Sequence, residues 1–87
     1  MKIKSGFLLR NLGDEHMVVA IGEAGLHFNG LIRLNDTGAW LWNQLKEDVS
    51  EEALVEKMCG NFENLDRKTA QTDLKEFLQT IDAAIEK

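Results

Sequence analysis

The chain has 87 residues, of which 44% are hydrophobic and 29% charged, and it carries a formal net charge of −5. This size predicts one domain over residues 1–87 with a modest hydrophobic core. No stretch approaches the ~20 apolar residues of a membrane span, and no apolar signal segment follows Met1. With one cysteine and hence no internal disulfide, the expectation is a cytoplasmic protein without a membrane partner.

The negative charge is concentrated in the second part of the chain. Residues 1–35 carry four basic and three acidic groups, whereas residues 36–87 carry six basic and twelve acidic groups. Because a phosphate backbone is bound by clustered Lys and Arg, this distribution disfavours nucleic acid as a partner.

Three strands are predicted before residue 35. Residues 7–12 and 16–21 are rich in β-forming side chains and flank the turn signal Gly13-Asp14, which is typical of a hairpin. After a loop at residues 22–25, the alternating segment from Leu26 to Leu34 predicts a third strand. Gly30 lies inside this predicted strand, where a glycine often marks a bulge or the close approach of another backbone.

Three helices are predicted after the strands. Asn35 and Asp36 give a helix start signal, because such side chains accept hydrogen bonds from the first-turn N–H groups. The helices are predicted over residues 36–46, over residues 51–60 with Ser50 as cap, and from after Asp66 to about Ile85. The third has an amphipathic pattern formed by Ala70, Leu74, Phe77, Leu78, Ile81 and Ile85. This order predicts a small α+β domain.

The two tryptophans, Trp40 and Trp42, flank Leu41 on opposite sides of the first predicted helix. Both rings cannot lie equally deep in the core, since they diverge by about 200° around the helix. We therefore expect at least one ring at the rim of the core.

The residue types required for catalysis form no pattern in this chain. His16 lies beside Asp14 and Glu15, and His27 follows eleven residues later, but solvated turn residues are a better interpretation than a metal site. Cys59 lacks a cysteine partner, and its place on the second helix favours a buried structural thiol. The glycines form neither a phosphate loop nor a dinucleotide motif. The sequence therefore predicts a non-catalytic protein without metal or cofactor.

The segment from residue 28 to 45 resembles a known family. The pieces FNGLIRLN and TGAWLW, the following Leu45 and the acidic Ser50-Glu51-Glu52 helix start are similar to the family of coenzyme PQQ synthesis protein D. The resemblance runs from the first hairpin strand to Phe77-Leu78. It implies a winged-helix-like recognition element, with a three-stranded antiparallel sheet and three helices. Such an element binds the leader of a ribosomally made precursor peptide and delivers it to a modifying enzyme, often a radical SAM enzyme.

The resemblance also implies where the peptide binds. An exposed sheet edge can accept an extended peptide as an added strand, and the family places the leader between the third strand and the last helix. The predicted peptide-binding residues are Leu26, His27, Phe28, Asn29, Gly30, Leu31, Ile32 and Arg33 on the strand and Gln71, Leu74, Lys75 and Leu78 on the helix. We predict that Arg33 and Lys75 pair with acidic leader residues and that Gly30 allows the peptide to approach closely.

Two other functions stay open on the sequence. A winged-helix DNA-binding regulator needs a basic recognition surface, but the last helix sets Arg67, Lys68 and Lys75 against four carboxylates. A structural or oligomerisation subunit would use the two tryptophans as an exposed anchor. It would form a homodimer without any peptide.

Overall fold

The computed structural model describes residues 1–26 and 30–86. The strands are β1 (Lys2–Ile3), β2 (Phe7–Leu12), β3 (Glu15–Ala20), β4 (Ile32–Leu34) and β5 (Ile85–Glu86). The helices are α1 (Asp36–Gln44), α2 (Glu51–Asn61) and α3 (Arg67–Thr80), with short 3-10 helices at Gly22–Leu26 and Asp82–Ala84. The prediction of an α+β fold with a three-stranded antiparallel sheet followed by three helices is confirmed.

The main sheet has the strand order β2-β3-β4. Leu12 pairs with Glu15 across the hairpin, which leaves Gly13-Asp14 as a two-residue loop. Gly13 has a φ of +61°, which such tight loops require and glycine adopts without strain. On the other side of β3, Arg33 of β4 pairs with Met17. β4 is therefore an edge strand.

The helices pack on one face of this sheet. Val18 at the centre of β3 is fully buried and joins the apolar residues of all three helices in one core. Trp42 is 2% exposed, whereas Trp40 is half-buried and packs edge-on against Phe62 with ring centroids 5.1 Å apart. The expectation that one tryptophan lies at the rim is confirmed, and Trp40 is that residue.

Each main helix begins at a side-chain cap. Asn35 accepts a hydrogen bond from the Gly38 amide at 2.7 Å, Ser50 from Ala53 at 3.1 Å and Asp66 from Thr69 at 2.7 Å. These bonds satisfy amides that have no partner inside the helix. The three predicted helix starts are confirmed.

A two-stranded sheet that the sequence did not predict joins the two ends of the described chain. Lys2 pairs with Glu86 and Ile3 with Ile85, and the Ile3 amide also donates to the Leu45 carbonyl at 2.9 Å. Strands of two residues carry no readable periodicity.

The prediction that the third helix continues to about Ile85 was wrong, because the spacing of buried residues was read as helical periodicity. Ile81 and Ile85 are both buried, so their spacing imitates a helix although the chain leaves α3 after Thr80.

The third strand is shorter than predicted. It begins at Ile32, while Leu26 ends a 3-10 helix and residues 27–29 lie outside the described part of the chain. Gly30 does not lie inside the strand; it precedes it with a φ of +115°. The alternating pattern predicted too long a strand, because glycine in this conformation turns the chain and periodicity cannot reveal a change of direction.

The first helix ends at Gln44, two residues earlier than predicted.

Candidate functional site

The outer edge of β4 is the first element of the candidate site. Among the described residues, β4 pairs only with β3, so its other edge carries no neighbouring strand. Ile32 and Leu34 point inwards and pack against the core, whereas Arg33 points outwards. Leu31, just before the strand, is 49% exposed. An open edge of this kind presents backbone N–H and C=O groups that an extended peptide can pair with.

A cleft of about 300 Å³ lies between the end of β4, the start of α1 and one side of α3. We call it the strand–helix cleft. Leu34, Leu41 and Phe77 contribute apolar surface to it. The other lining residues are Arg33, Asn35, Thr37, Gly38, Asp73, Glu76 and Thr80. The lining therefore combines an apolar part with a polar part in which two carboxylates on α3 outnumber the single guanidinium of Arg33.

The close approach of α1 to β4 depends on Gly38. A Cβ at this position would lie 3.2 Å from both Leu34 Cβ and Asn35 Oδ1. Since real Cβ atoms rarely approach other atoms so closely, only glycine fits here without displacing a neighbour. Gly38 therefore positions the first turn of α1 directly against the end of β4.

The structure divides the predicted peptide-binding residues between two surfaces. Gln71, Leu74, Lys75 and Leu78 do not line the strand–helix cleft. They line a second, shallow groove of about 730 Å³ between α2 and α3, which we call the α2–α3 groove. The prediction that this side of α3 binds the peptide together with the third strand stays a prediction. The side of α3 that faces β4 carries Asp73, Glu76, Phe77 and Thr80.

Helix geometry explains why the two sets of α3 residues line different surfaces. The buried stripe of α3 runs through Ala70, Leu74 and Phe77, and the two sets of groove residues flank it on either side, roughly 160° apart. The apolar pattern identifies the stripe but not which flank faces the strand. The spacing of Asp73, Phe77 and Thr80 places them along one flank of the helix, but nothing in the sequence indicated that this flank faces the strand.

The predicted basic pair is also separated. Arg33 borders the strand–helix cleft and lies 3.7 Å from Glu15 Oε1, in an exposed ion pair. Lys75 lies in the α2–α3 groove. The two residues therefore do not face each other across one groove, and their pairing with acidic leader residues remains a prediction without a shared site.

His16 connects the sheet to α1. Its Nε2 lies 2.8 Å from Asp36 Oδ1 in the first helical turn, and its Nδ1 is within hydrogen-bond distance of Asn11 Oδ1 on β2. The predicted strand position of His16 is confirmed, whereas its interpretation as a solvated residue was wrong, because its side chain is only 20% exposed. This bridge helps to fix α1, and therefore the cleft, relative to the sheet.

Other chemical groups lie away from the cleft. No cluster of three metal-ligating side chains occurs within residues 1–26 and 30–86. Cys59 on α2 is half-buried against the core and unpaired with any other cysteine. The amide of Thr69 lowers the pKa of the Asp66 carboxyl by hydrogen bonding, which reflects its role as a helix cap. In the described part of the chain, no helix is long and apolar enough to cross a bilayer.

Comparisons with known proteins agree with this architecture. The family model "Coenzyme PQQ synthesis protein D (PqqD)" matches residues 13–84. No curated protein matches the chain significantly. Among solved structures, the chain is similar to "TbiB1 in Complex with the TbiA(beta) Leader Peptide", with a TM-score of 0.73 and 26% identity. That similarity covers 94% of this chain and 88% of the other. Because the family model matches most of its residues, the chain belongs to the coenzyme PQQ synthesis protein D family.

Proposed function

We propose that this protein binds the leader of a ribosomally made precursor peptide as an added strand along β4. One observation carries the proposal: the open edge of β4 lies beside a cleft with an apolar part. Two comparisons support it, since the chain belongs to the coenzyme PQQ synthesis protein D family and a similar structure holds a leader peptide.

The strand edge and the cleft supply different parts of the binding energy. Each backbone hydrogen bond to β4 contributes a net ~0.5–1.5 kcal/mol, whatever the peptide sequence. Full burial of one apolar peptide side chain is worth about 1.5–3 kcal/mol, and the apolar part of the cleft supplies a fraction of this, because Leu41 and Phe77 are only 1% and 8% exposed. The edge thus supplies general affinity for an extended chain, and the apolar part of the cleft selects a peptide with an apolar residue at the matching position.

The charges of the cleft favour a particular leader. Asp73 and Glu76 line its α3 side, while Arg33 is already near Glu15. A leader with Lys or Arg facing α3 is therefore a better partner than the acidic leader that the sequence alone suggested. We place Leu31, Ile32 and Arg33 in the peptide site, and we move its helix wall to the Asp73–Thr80 side.

In this proposal the protein itself performs no chemistry. It holds the leader in a fixed direction and delivers the precursor to a modifying enzyme, for which a radical SAM enzyme is our candidate. The use of a tryptophan as an oligomerisation anchor has less support, because Trp42 is buried and Trp40 packs against Phe62. No observation favours DNA binding, since the α3 side of the cleft is acidic.

Backbone methylation of the peptide tests strand addition directly. The probe is the synthetic leader of a candidate precursor peptide, prepared with single N-methyl groups at two adjacent residues. In a paired strand, successive N–H groups point in opposite directions. One methylated peptide should therefore lose about tenfold in affinity, since a lost hydrogen bond and a steric clash together exceed 1.4 kcal/mol. The other should bind like the unmodified leader. Equal affinities for both peptides would contradict strand addition.

A further inference from the structure

The main sheet has a second edge, at β2, which the proposed peptide site at β4 does not use. Within the described part of the chain, β2 is the last strand in the order and pairs only with β3. It extends over six residues, whereas β4 extends over three. Because an open edge presents unpaired backbone groups, it must be either blocked or used.

The register of the hairpin shows which backbone groups of β2 face outwards. In an antiparallel pair, residues that bond to their partners alternate with residues that do not. The Ile21 amide donates to the carbonyl of Gly6, just before β2, at 2.7 Å, so the even-numbered residues of β2 continue this bonded series. The N–H and C=O groups of Leu9 and Asn11 therefore point away from β3. No backbone hydrogen bond reaches them from another described segment.

A pocket of about 360 Å³, which we call the β2 pocket, lies beside this edge on the side of the sheet that carries the helices. Ile3, Phe7 and Leu9 contribute half-buried apolar side chains to it, and Lys4 and Lys46 are exposed lining residues. A strand added to β2 would lie about 4.8 Å from it and would direct every second side chain towards this pocket. The edge and the pocket are thus arranged to bind one extended segment together.

The charge of the β2 pocket is opposite to that of the strand–helix cleft. Of the described residues that line the β2 pocket, two are lysines and none is a carboxylate. The strand–helix cleft is lined by Asp73 and Glu76 on its α3 side. An acidic segment is therefore attracted to the β2 edge and repelled by the α3 side of the cleft, and a basic leader has the reverse preference.

A second copy of this chain is a poor occupant of the β2 edge. The strand sequence from Phe7 to Leu12 contains no carboxylate that could complement the lysines. Two β2 strands paired edge to edge would also bring two lysine-lined pockets to the same seam, where facing like charges are unfavourable. The occupant that fits is an extended segment with acidic residues and an apolar side chain for the pocket.

We propose that the β2 edge is a second strand-addition site, which takes an acidic, extended segment of the precursor peptide while the leader occupies β4. This inference rests on the proposed function, because the bound leader brings the rest of the precursor close to the protein. Such tethering raises the effective concentration of the second segment, so that even a weak site is occupied. Four strand spacings, about 19 Å, separate the two added strands, and a connection of about six or more extended residues spans this distance.

Amide hydrogen exchange tests strand addition at β2. The first probe is a synthetic peptide of alternating glutamate and valine, and the control probe has lysine in place of glutamate. The acidic peptide at saturation should slow the exchange of the Leu9 and Asn11 amides about tenfold or more, because each gains a bonded partner or cover from solvent. The amides of Leu8 and Arg10 already bond to β3 and should not change. The lysine peptide should leave all four amides unchanged.

A charge reversal at the pocket tests the preference for an acidic segment. Lys46→Glu should weaken binding of the acidic peptide about fivefold at low salt and less at high salt, because it replaces an attraction with a repulsion. Lys57→Glu, at an exposed position of α2, makes the same change in charge away from the pocket and should match wild type. The full candidate precursor should protect the same two amides and also shift the resonances of residues 31–35.

The contrary results have separate meanings. Unchanged exchange of Leu9 and Asn11 with the acidic peptide would overturn the inference. A precursor that shifts residues 31–35 but leaves these two amides unprotected would overturn it too, while the proposed function would stand. Protection of the two amides without any shift in residues 31–35 would refute the proposed function and support strand addition at β2. Protection that grows with protein concentration in the absence of peptide would assign the edge to a second copy and overturn the inference.

Discussion

Replacement of Gly38 by alanine tests whether α1 packs against β4 as closely as the structure indicates. In a helix, Gly→Ala alone stabilises a protein by about 0.5–1 kcal/mol, because it lowers the entropy of the unfolded chain. At Gly38, however, the new methyl would lie 3.2 Å from Leu34 Cβ and from the capping oxygen of Asn35. Such overpacking costs about 1–3 kcal/mol. We expect a net loss of about 1–2 kcal/mol.

Gly60→Ala in α2 is the matched control. Nothing lies within 4 Å of the Cβ that this substitution adds, and Gly60 is exposed. It should therefore stabilise the protein by up to about 1 kcal/mol, which raises the melting temperature by roughly 4–8 °C. Urea unfolding followed by the fluorescence of the buried Trp42 measures both variants. If Gly38→Ala stabilised the protein as much as Gly60→Ala does, the close contact between α1 and β4 would be refuted.

Further predictions concern the core, the caps and the cleft. Trp42→Ala should cost about 3–5 kcal/mol, enough to unfold much of a domain this small at 37 °C, as far-UV circular dichroism would show. Ser50→Ala should lower the urea midpoint by an amount equivalent to about 1 kcal/mol, because the Ala53 amide loses its partner. The lowered pKa of Asp66 contributes stability that is fully present above pH 3.8, the ordinary pKa of an Asp carboxyl. This contribution should be lost as the pH falls through the lower pKa of the folded state. Asp66→Asn should therefore show a flatter acid limb in urea midpoints. Glu76→Lys should weaken binding of a basic leader more at low salt than at high salt, as fluorescence anisotropy would report.

The sequence was most informative where local chemistry determines local structure. The three helix starts were predicted from Asn35, Ser50 and Asp66, and the hairpin loop was predicted from Gly13-Asp14. These predictions succeeded because each residue acts within four residues of its own position. The pairing of β1 with β5 could not be predicted in this way. It joins residues more than eighty positions apart through strands of two residues, which leave no pattern in the sequence.

The candidate site was predictable only in part. Resemblance to a family placed it between the third strand and the last helix, and the strand–helix cleft lies there. The sequence could not show which flank of α3 faces β4, because the two flanks of the buried stripe on α3 look equivalent in sequence. The positive φ of Gly30 could not be predicted either, because the alternating pattern of residues 26–34 continues through the point at which the backbone turns.

Strand addition at β4 is tested by amide chemical shifts of the isotope-labelled protein, recorded during titration with the leader of a candidate precursor peptide. We expect shifts concentrated in residues 31–35 and in residues 73–80 on the side that faces β4. Gln71 and Lys75 in the α2–α3 groove should change little. Shifts centred on the α2–α3 groove, with β4 unaffected, would contradict strand addition at this edge.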